Sequence, residues 1–213
     1  MAPLVTTIHP EMLLAFDTSS AACTAALFDG AGTCIARADE IIGRGHAERL
    51  VPMIAELMDG RSATQLLVGV GPGSFTGIRV AIAAAHGLGI GWGAQVSGMS
   101  SLALLAAGAG SDEVAVAVAG GHGELFIQQF GGPGSESAGK LFNLSPTEAA
   151  PVTDAKLVIG SGAQQLVDAR GWGEARAAFP CAADALKISP SLRALPAKPV
   201  YARAPDARVP EAA

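Results

Sequence analysis

The chain has 213 residues, 50% hydrophobic and only 15% charged, with a formal net charge of −5 and a mean hydropathy of +0.38. The length is ample for a real core in one large domain or two small lobes. An acidic chain with no Lys/Arg run is expected to have only weak direct affinity for nucleic acid, and glycine or polar interruptions in every long apolar stretch exclude a membrane span.

The opening "MAPLVTTIHPEMLLAF" lacks a basic leader and a small-residue cleavage site, so no signal peptide is expected. Strands are expected at Leu13–Phe16, ending in "DTSS", at Cys23–Phe28 before the Asp29-Gly30 turn, and at "TCIARADEII". A helix follows in "HAERLVPMIAELMDG". Leu50, Ile54, Leu57 and Met58 recur at helical spacing, Pro52 falls in its first turns, and Gly60 suits the C-cap. "QLLVGVG" reads as a strand buried on both faces. The run "GPGSFTGIRVAIAAAHGLGIG" turns sharply and enters an alanine-rich helix, followed by a strand at "AQVSGM" and a helix from Ser100 to about Ala109. The order β-β-β-α-β-α-β-α implies a meander extended by parallel βα units, hence an α/β fold.

A second lobe begins near Glu113, giving an N-terminal lobe over 1–110 and a smaller one over 111–213. "EVAVAVAG" and "GELFIQQF" form a strand pair around a glycine-rich turn, echoing the opening of the first lobe. "GGPGSESAG" is a loop, "KLVIGSGAQQLVDARG" reads strand, glycine turn, helix, and the tail frays after Arg203.

Asp17, Thr18 and Ser19 end the first strand, where open α/β sheets place ligands. They suit phosphate or metal contact; equally, Asp17 and Ser19 suit the satisfaction of turn backbone groups. The glycine turn at 71–77 lacks the Lys-Ser/Thr of a nucleotide-binding Walker loop. Ser74, Thr76 and Arg79 offer an anion donors at a helix start, while glycines for a turn and a Ser74 or Thr76 cap give a purely structural reading. The histidines (His9, His46, His86, His122) show no i, i+4 pair, and Cys23, Cys34 and Cys181 are scattered. No metal site is expected, and the thiols point to a reducing, cytoplasmic setting. No GxSxG elbow or local Cys/His pair offers a nucleophile.

"LLAFDTSSAACTAALF", "GHAERLVPMI", "GVGPGSFTGIRVAIAAAHGL" and "VSGMSSL", in this order and spacing, resemble the TsaB/YeaZ family of bacterial tRNA threonylcarbamoyladenosine biosynthesis proteins. The match is strong over roughly Leu13–Ala107 and weaker through "GELFIQQF", "LVIGSGA" and "PVYARAPDA". The resemblance implies two lobes of the actin-like (ASKHA, RNase H-like) fold. It also implies a non-catalytic relative of TsaD, the enzyme that transfers threonylcarbamoyl to adenosine 37 of tRNA. Such a subunit pairs with TsaD, is joined by the ATPase TsaE, forms homodimers alone, and meets tRNA only through the complex. No cofactor is required, with ATP or ADP at a partner interface as the one candidate ligand. The catalytic relative carries His-x-x-x-His where this chain has Ser101 and Leu105. The family's Asp-Ala-Arg…Glu-Val-Tyr appears here as Ala119-Gly120-Gly121…Glu124-Leu125-Phe126.

The helix from Arg79 to Gly91 has no acidic residue and no lysine, so more than one face must be covered. The resemblance supplies the cover, a four-helix bundle made by the first two helices of each partner. His46, Leu50, Ile78, Ala81, Ala84, Ala85 and Leu88 are the expected interface. An actin-like ATPase or kinase would share the fold but needs phosphate loops in both lobes. An RNase H-like nuclease needs several carboxylates around two metals, for which Asp17 has only Asp39 or Glu48 as company.

Overall fold

The computed structural model describes residues 11–131 and 139–202. His9, the heart of the expected loop at 131–139 and the expected fraying after Arg203 lie outside the described residues.

The first sheet holds β1 (Leu13–Asp17), β2 (Ala22–Phe28), β3 (Cys34–Ile41), β4 (Gln65–Gly69) and β5 (Gln95–Met99) in the order β3-β2-β1-β4-β5. β1, β2 and β3 pair antiparallel; β4 joins β1, and β5 joins β4, in parallel. Alternation along the strands sorts side chains to two faces. Leu14, Phe16, Cys23, Ala25 and Leu27 point to one apolar core, and Ala15, Ala26, Phe28 and Leu67 to another. The first of these cores is roofed by α1 (His46–Met58) and α2 (Phe75–Trp92). Removing Leu14, Phe16 or Leu27 from water there stabilises the fold by roughly 1.5–3 kcal/mol each.

On the other face lies α3 (Ser101–Ala107), every residue of which is buried. Its core includes Val114, Val116, Phe126, Phe130 and Ile159, so one apolar layer joins the lobes. The second sheet comprises β6 (Val114–Ala119), β7 (Leu125–Phe130), β8 (Phe142–Leu144), β9 (Leu157–Ile159) and β10 (Glu174–Arg176), ordered β10-β9-β6-β7-β8. Pairing is antiparallel for β6-β7-β8 and parallel for β6-β9-β10. The second lobe thus repeats the whole layout of the first, with α4 (Pro146–Ala149) and α5 (Ala163–Arg170) on its outer core. The sequence echo extends well beyond one strand pair.

From Cys181 the chain returns to the first lobe. A 3-10 turn at Ala182–Lys187 packs on β1, β2 and β3, and Ala182 N–H donates to Thr24 Oγ1 at 2.7 Å. α6 (Pro190–Arg193) follows, and Leu195 and Gly98 exchange backbone hydrogen bonds of 2.7 and 3.0 Å at the edge of β5.

Several local expectations shift by a turn or less. The C-cap of α1 is Asp59, left-handed at φ 46°, and not Gly60. Pro52 sits at the seventh helical position, on the exposed side, where its missing N–H leaves a carbonyl that solvent can reach. The strand expected at Gly123-Glu124 starts at Leu125.

Candidate functional site

The ends of β1 and β4, the glycine turn and the start of α3 converge at the carboxyl edge of the first sheet. Asp17 is fully buried. Its Oδ1 accepts from Ser19 N–H and Ser19 Oγ, both at 2.7 Å, and its Oδ2 accepts from Ser101 Oγ at 2.6 Å. Ser101 Oγ in turn accepts from Gly71 N–H at 3.0 Å, while Ser101 N–H donates to Gly71 O at 3.1 Å. The carboxylate therefore ties three chain segments together and presents no surface to a ligand. This is the turn-satisfying reading of Asp17 and Ser19, extended to a third partner.

The glycine turn lies directly on the loop after β1. Ser74 N–H donates to Ser19 O at 2.6 Å, and Thr18 Oγ1 donates to Gly77 O at 2.7 Å. A Cβ on Gly77 would stand 1.8 Å from Thr18 O, and one on Gly69 would stand 1.8 Å from Asp17 Oδ2. Only glycine allows these approaches. Ser74 is the N-cap of α2, its Oγ accepting from Gly77 N–H at 3.2 Å.

Of the anion-contact candidates, Asp17, Thr18 and Ser19 are buried and engaged within the chain, whereas Ser74, Thr76 and Arg79 remain exposed. Arg79 already has company. Its guanidinium carbon lies 3.6 Å above the centre of the Phe75 ring, and its Nε donates to Tyr201 Oη at 3.1 Å. Tyr201 belongs to the returning C-terminal segment, which also hydrogen-bonds Val200 N–H to Val70 O at 2.9 Å. Sequence spacing could not announce this partner 122 residues away.

The helix faces differ from the sequence expectation. Leu50, Ile78, Ala81 and Ala85 have 0–1% of their surface exposed and pack on the sheet within this chain, and His46 is buried at the helix start with no hydrogen bond to Nε2 among the described residues. Ala84 and Leu88 are half-buried on the flank. From Thr76 onward the outward side of α2 carries Thr76, Arg79, Ala83, His86, Gly87 and Ile90, the last 86% exposed; on α1, which packs against α2, Val51, Pro52 and Ala55 are exposed. The difference has a simple cause. Apolar and small residues occupy both the 78-81-85 row and the 83-87-90 row, so periodicity alone gave the helix no phase.

Of the two positions that the resemblance sets against a His-x-x-x-His, Ser101 hydrogen-bonds Asp17 and Leu105 is 3% exposed in the core shared by the lobes. Among the described residues no three His, Cys, Asp or Glu side chains gather to hold a metal. Asp39, weighed above as a second nuclease carboxylate, accepts from Thr24 Oγ1 at 2.6 Å across the β2–β3 ladder. In the second lobe, Glu124 Oε2 accepts from Asn143 Nδ2 at 2.7 Å, and Ser161 Oγ accepts from Ala119 N–H at 3.0 Å. Burial pushes the Cys23 thiol up to about 11, with Glu40 adding to the effect; Cys34 is exposed. Among the described residues no helix is long and apolar enough to cross a membrane.

The paired sheets of matching topology around α3 define a two-lobed α/β protein of the actin-like (ASKHA) class. Residues 39–140 match the family of TsaD, tRNA N6-adenosine threonylcarbamoyltransferase. A Pseudomonas aeruginosa structure described as an uncharacterized protein with similarity to peptidase YeaZ superposes with a TM-score of 0.76 at 30% identity, covering 91% of this chain and all of that one. YeaZ from the same organism gives 0.74 at 29% identity, covering 90% and 99%. The tRNA threonylcarbamoyladenosine biosynthesis protein TsaB of Escherichia coli is 36% identical over 127 residues, 55% of this chain and 54% of that protein. The chain belongs to the TsaB/YeaZ family. It spans about half the length of the curated relatives it matches.

Proposed function

We propose that the chain is a non-catalytic partner subunit in the formation of threonylcarbamoyladenosine at position 37 of tRNA. It pairs with a TsaD-like transferase, admits a TsaE-like ATPase to the assembly, and forms a homodimer when alone. tRNA is met only through the complex, which works in the cytoplasm. The supporting observation is the outward stripe of α1 and α2. Val51, Pro52, Ala55, Ala83, Gly87 and Ile90 are exposed and apolar or small, on two helices that pack against each other. Small residues let a facing helix approach to the near end of the usual ~8–10 Å axial separation. The family relationship supports a helical partner for that stripe. Ser101 and Leu105, both committed to the interior, support the absence of transferase chemistry from this chain.

No cofactor is required by the subunit itself. An ATP or ADP at the partner interface would meet Ser74, Thr76 and Arg79, the exposed members of the candidate anion set. The test is co-purification with the TsaD-like protein of the same cell, followed by a threonylcarbamoyl-transfer assay with each protein omitted in turn. Transfer should require both proteins. Transfer by this chain alone, or undiminished transfer without it, overturns the proposal.

A further inference from the structure

At the opposite, N-terminal edge of the first sheet, β1, β4 and β5 begin side by side. The parallel register sets Leu13 beside Gln65 and Gln65 beside Gln95, and two residues further on sets Leu67 beside Ser97. Strand alternation puts these side chains on one face. α6 closes the outer side with Pro190 and Arg193, leaving a cavity of about 290 Å³. The rim is fixed by the backbone, with Met12 O accepting from Thr64 N–H and Gln65 N–H at 3.0 and 3.1 Å, and Thr64 O from Gln95 N–H at 3.0 Å.

The cavity's polar groups are idle. Gln65, Gln95, Ser97 and the half-buried Arg193 make no side-chain hydrogen bond or ion pair among the described residues. The Arg193 guanidinium is partly desolvated and has no counter-ion among the described residues, and the amides of the exposed Gln65 and Gln95 and the Ser97 hydroxyl stand beside it, open to an incoming acceptor.

We propose that this cavity binds a small free monocarboxylate. One guanidinium matches one carboxylate in charge and in its two-oxygen fork, whereas a phosphate dianion asks for more positive charge than Arg193 supplies. Gln65, Gln95 and Ser97 complete the hydrogen bonding, and Leu13 and Pro190 face a short alkyl group. The volume lies just below the ~300–1,000 Å³ of most ligand pockets and is ample for a short-chain carboxylate. The site stands apart from the α1–α2 surface, so it holds or fails independently of the proposed subunit role.

The experiment titrates the full chain with butyrate, acetate and inorganic phosphate while following the side-chain amide NMR signals of Gln65 and Gln95. Butyrate should move both signals to saturation, acetate should do so more weakly, and phosphate should not saturate. Arg193→Gln should lose the response, Lys156→Gln should keep it, and thermal melting checks that both fold. Gln95→Leu gives a second loss of binding should Arg193→Gln prove unstable. The proposal is overturned if butyrate gives no saturation up to about 10 mM, where a millimolar site is roughly nine-tenths filled, or if Arg193→Gln responds like the wild type. Equal saturation by phosphate makes this a general anion site and overturns the carboxylate assignment.

Discussion

The Ser101 hydroxyl donates to Asp17 Oδ2 at 2.6 Å across 84 residues of chain, inside a site with no solvent access to the carboxylate. Hydrogen bonds to charged groups contribute about 1.5–3 kcal/mol. Ser101→Ala should therefore lower stability by about that much, a fall in Tm of roughly 3–12 °C for a chain of this size. In a double-mutant cycle with Asp17→Ala, the losses should be non-additive by at least ~0.5 kcal/mol, as for residues in direct contact. Strict additivity in urea unfolding would remove this bond from the site.

Two glycines of α2 should respond oppositely to alanine. In an open helix position Gly→Ala stabilises by up to about 1 kcal/mol, and a Cβ on Gly87 meets nothing within 4 Å. At Gly77 the Cβ would stand 1.8 Å from the Thr18 carbonyl oxygen, a backbone atom with no freedom to swing aside. Gly77→Ala should then destabilise by about 1–3 kcal/mol or more, as overpacking does. Denaturant midpoints of the two variants measure the contrast. A stable Gly77→Ala protein would mean that the loop after β1 yields easily.

The outward stripe predicts which substitutions break association without breaking the fold. Ala83→Glu and Ile90→Glu place charge on the exposed face of α2 and should weaken homodimer or partner binding by tenfold or more, about 1.4 kcal/mol. Ala85→Glu buries a charge against the sheet, where the residue is 0% exposed, and should fail to fold. Sizing and pull-down alongside circular dichroism separate the outcomes. Full association by both exposed-face variants would discard the stripe as a docking surface.

Much of the first lobe was legible because its signals are strong and local. Unbroken apolar strands, the Asp29-Gly30 turn and the Ser74 cap each act within a few residues. The second lobe was harder to read. β8, β9 and β10 have three residues each, too few to show a period. One local signal is present there: Ser145 and Glu148 form a reciprocal capping box that opens α4, an S-x-x-E pattern in the sequence. At the candidate site, Asp17 and Ser19 betray their local turn, but Ser101 and Tyr201 reach their partners only through the tertiary fold. The facing of α2 was unreadable for another reason, since both of its faces are apolar or small.

Arg49 links β3 to α1, and its effect should depend on acid. Its Nε and Nη2 donate to Glu40 at 2.8 and 2.5 Å, and its Nη1 and Nη2 donate to Glu56 at 3.0 and 3.1 Å. These bonds hold both carboxyls below their ordinary value of 4.5, and the two carboxylates hold the guanidinium protonated more firmly than usual. A carboxyl whose pKa is depressed on folding contributes stability that is present above its unfolded value. That contribution is lost as pH falls through the lower, folded one. Arg49→Gln should thus melt below the wild type at pH 7, and the gap should narrow as pH drops from about 4.5 toward 2. Because all three side chains are partly exposed, at 28%, 40% and 66% for Arg49, Glu40 and Glu56, the gap should also shrink in about 1 M salt, where the Debye length is ~3 Å. Calorimetry across pH and salt decides it. A gap that is constant from pH 7 to pH 2 would assign the Arg49 effect to packing of its aliphatic stem and not to the paired charges.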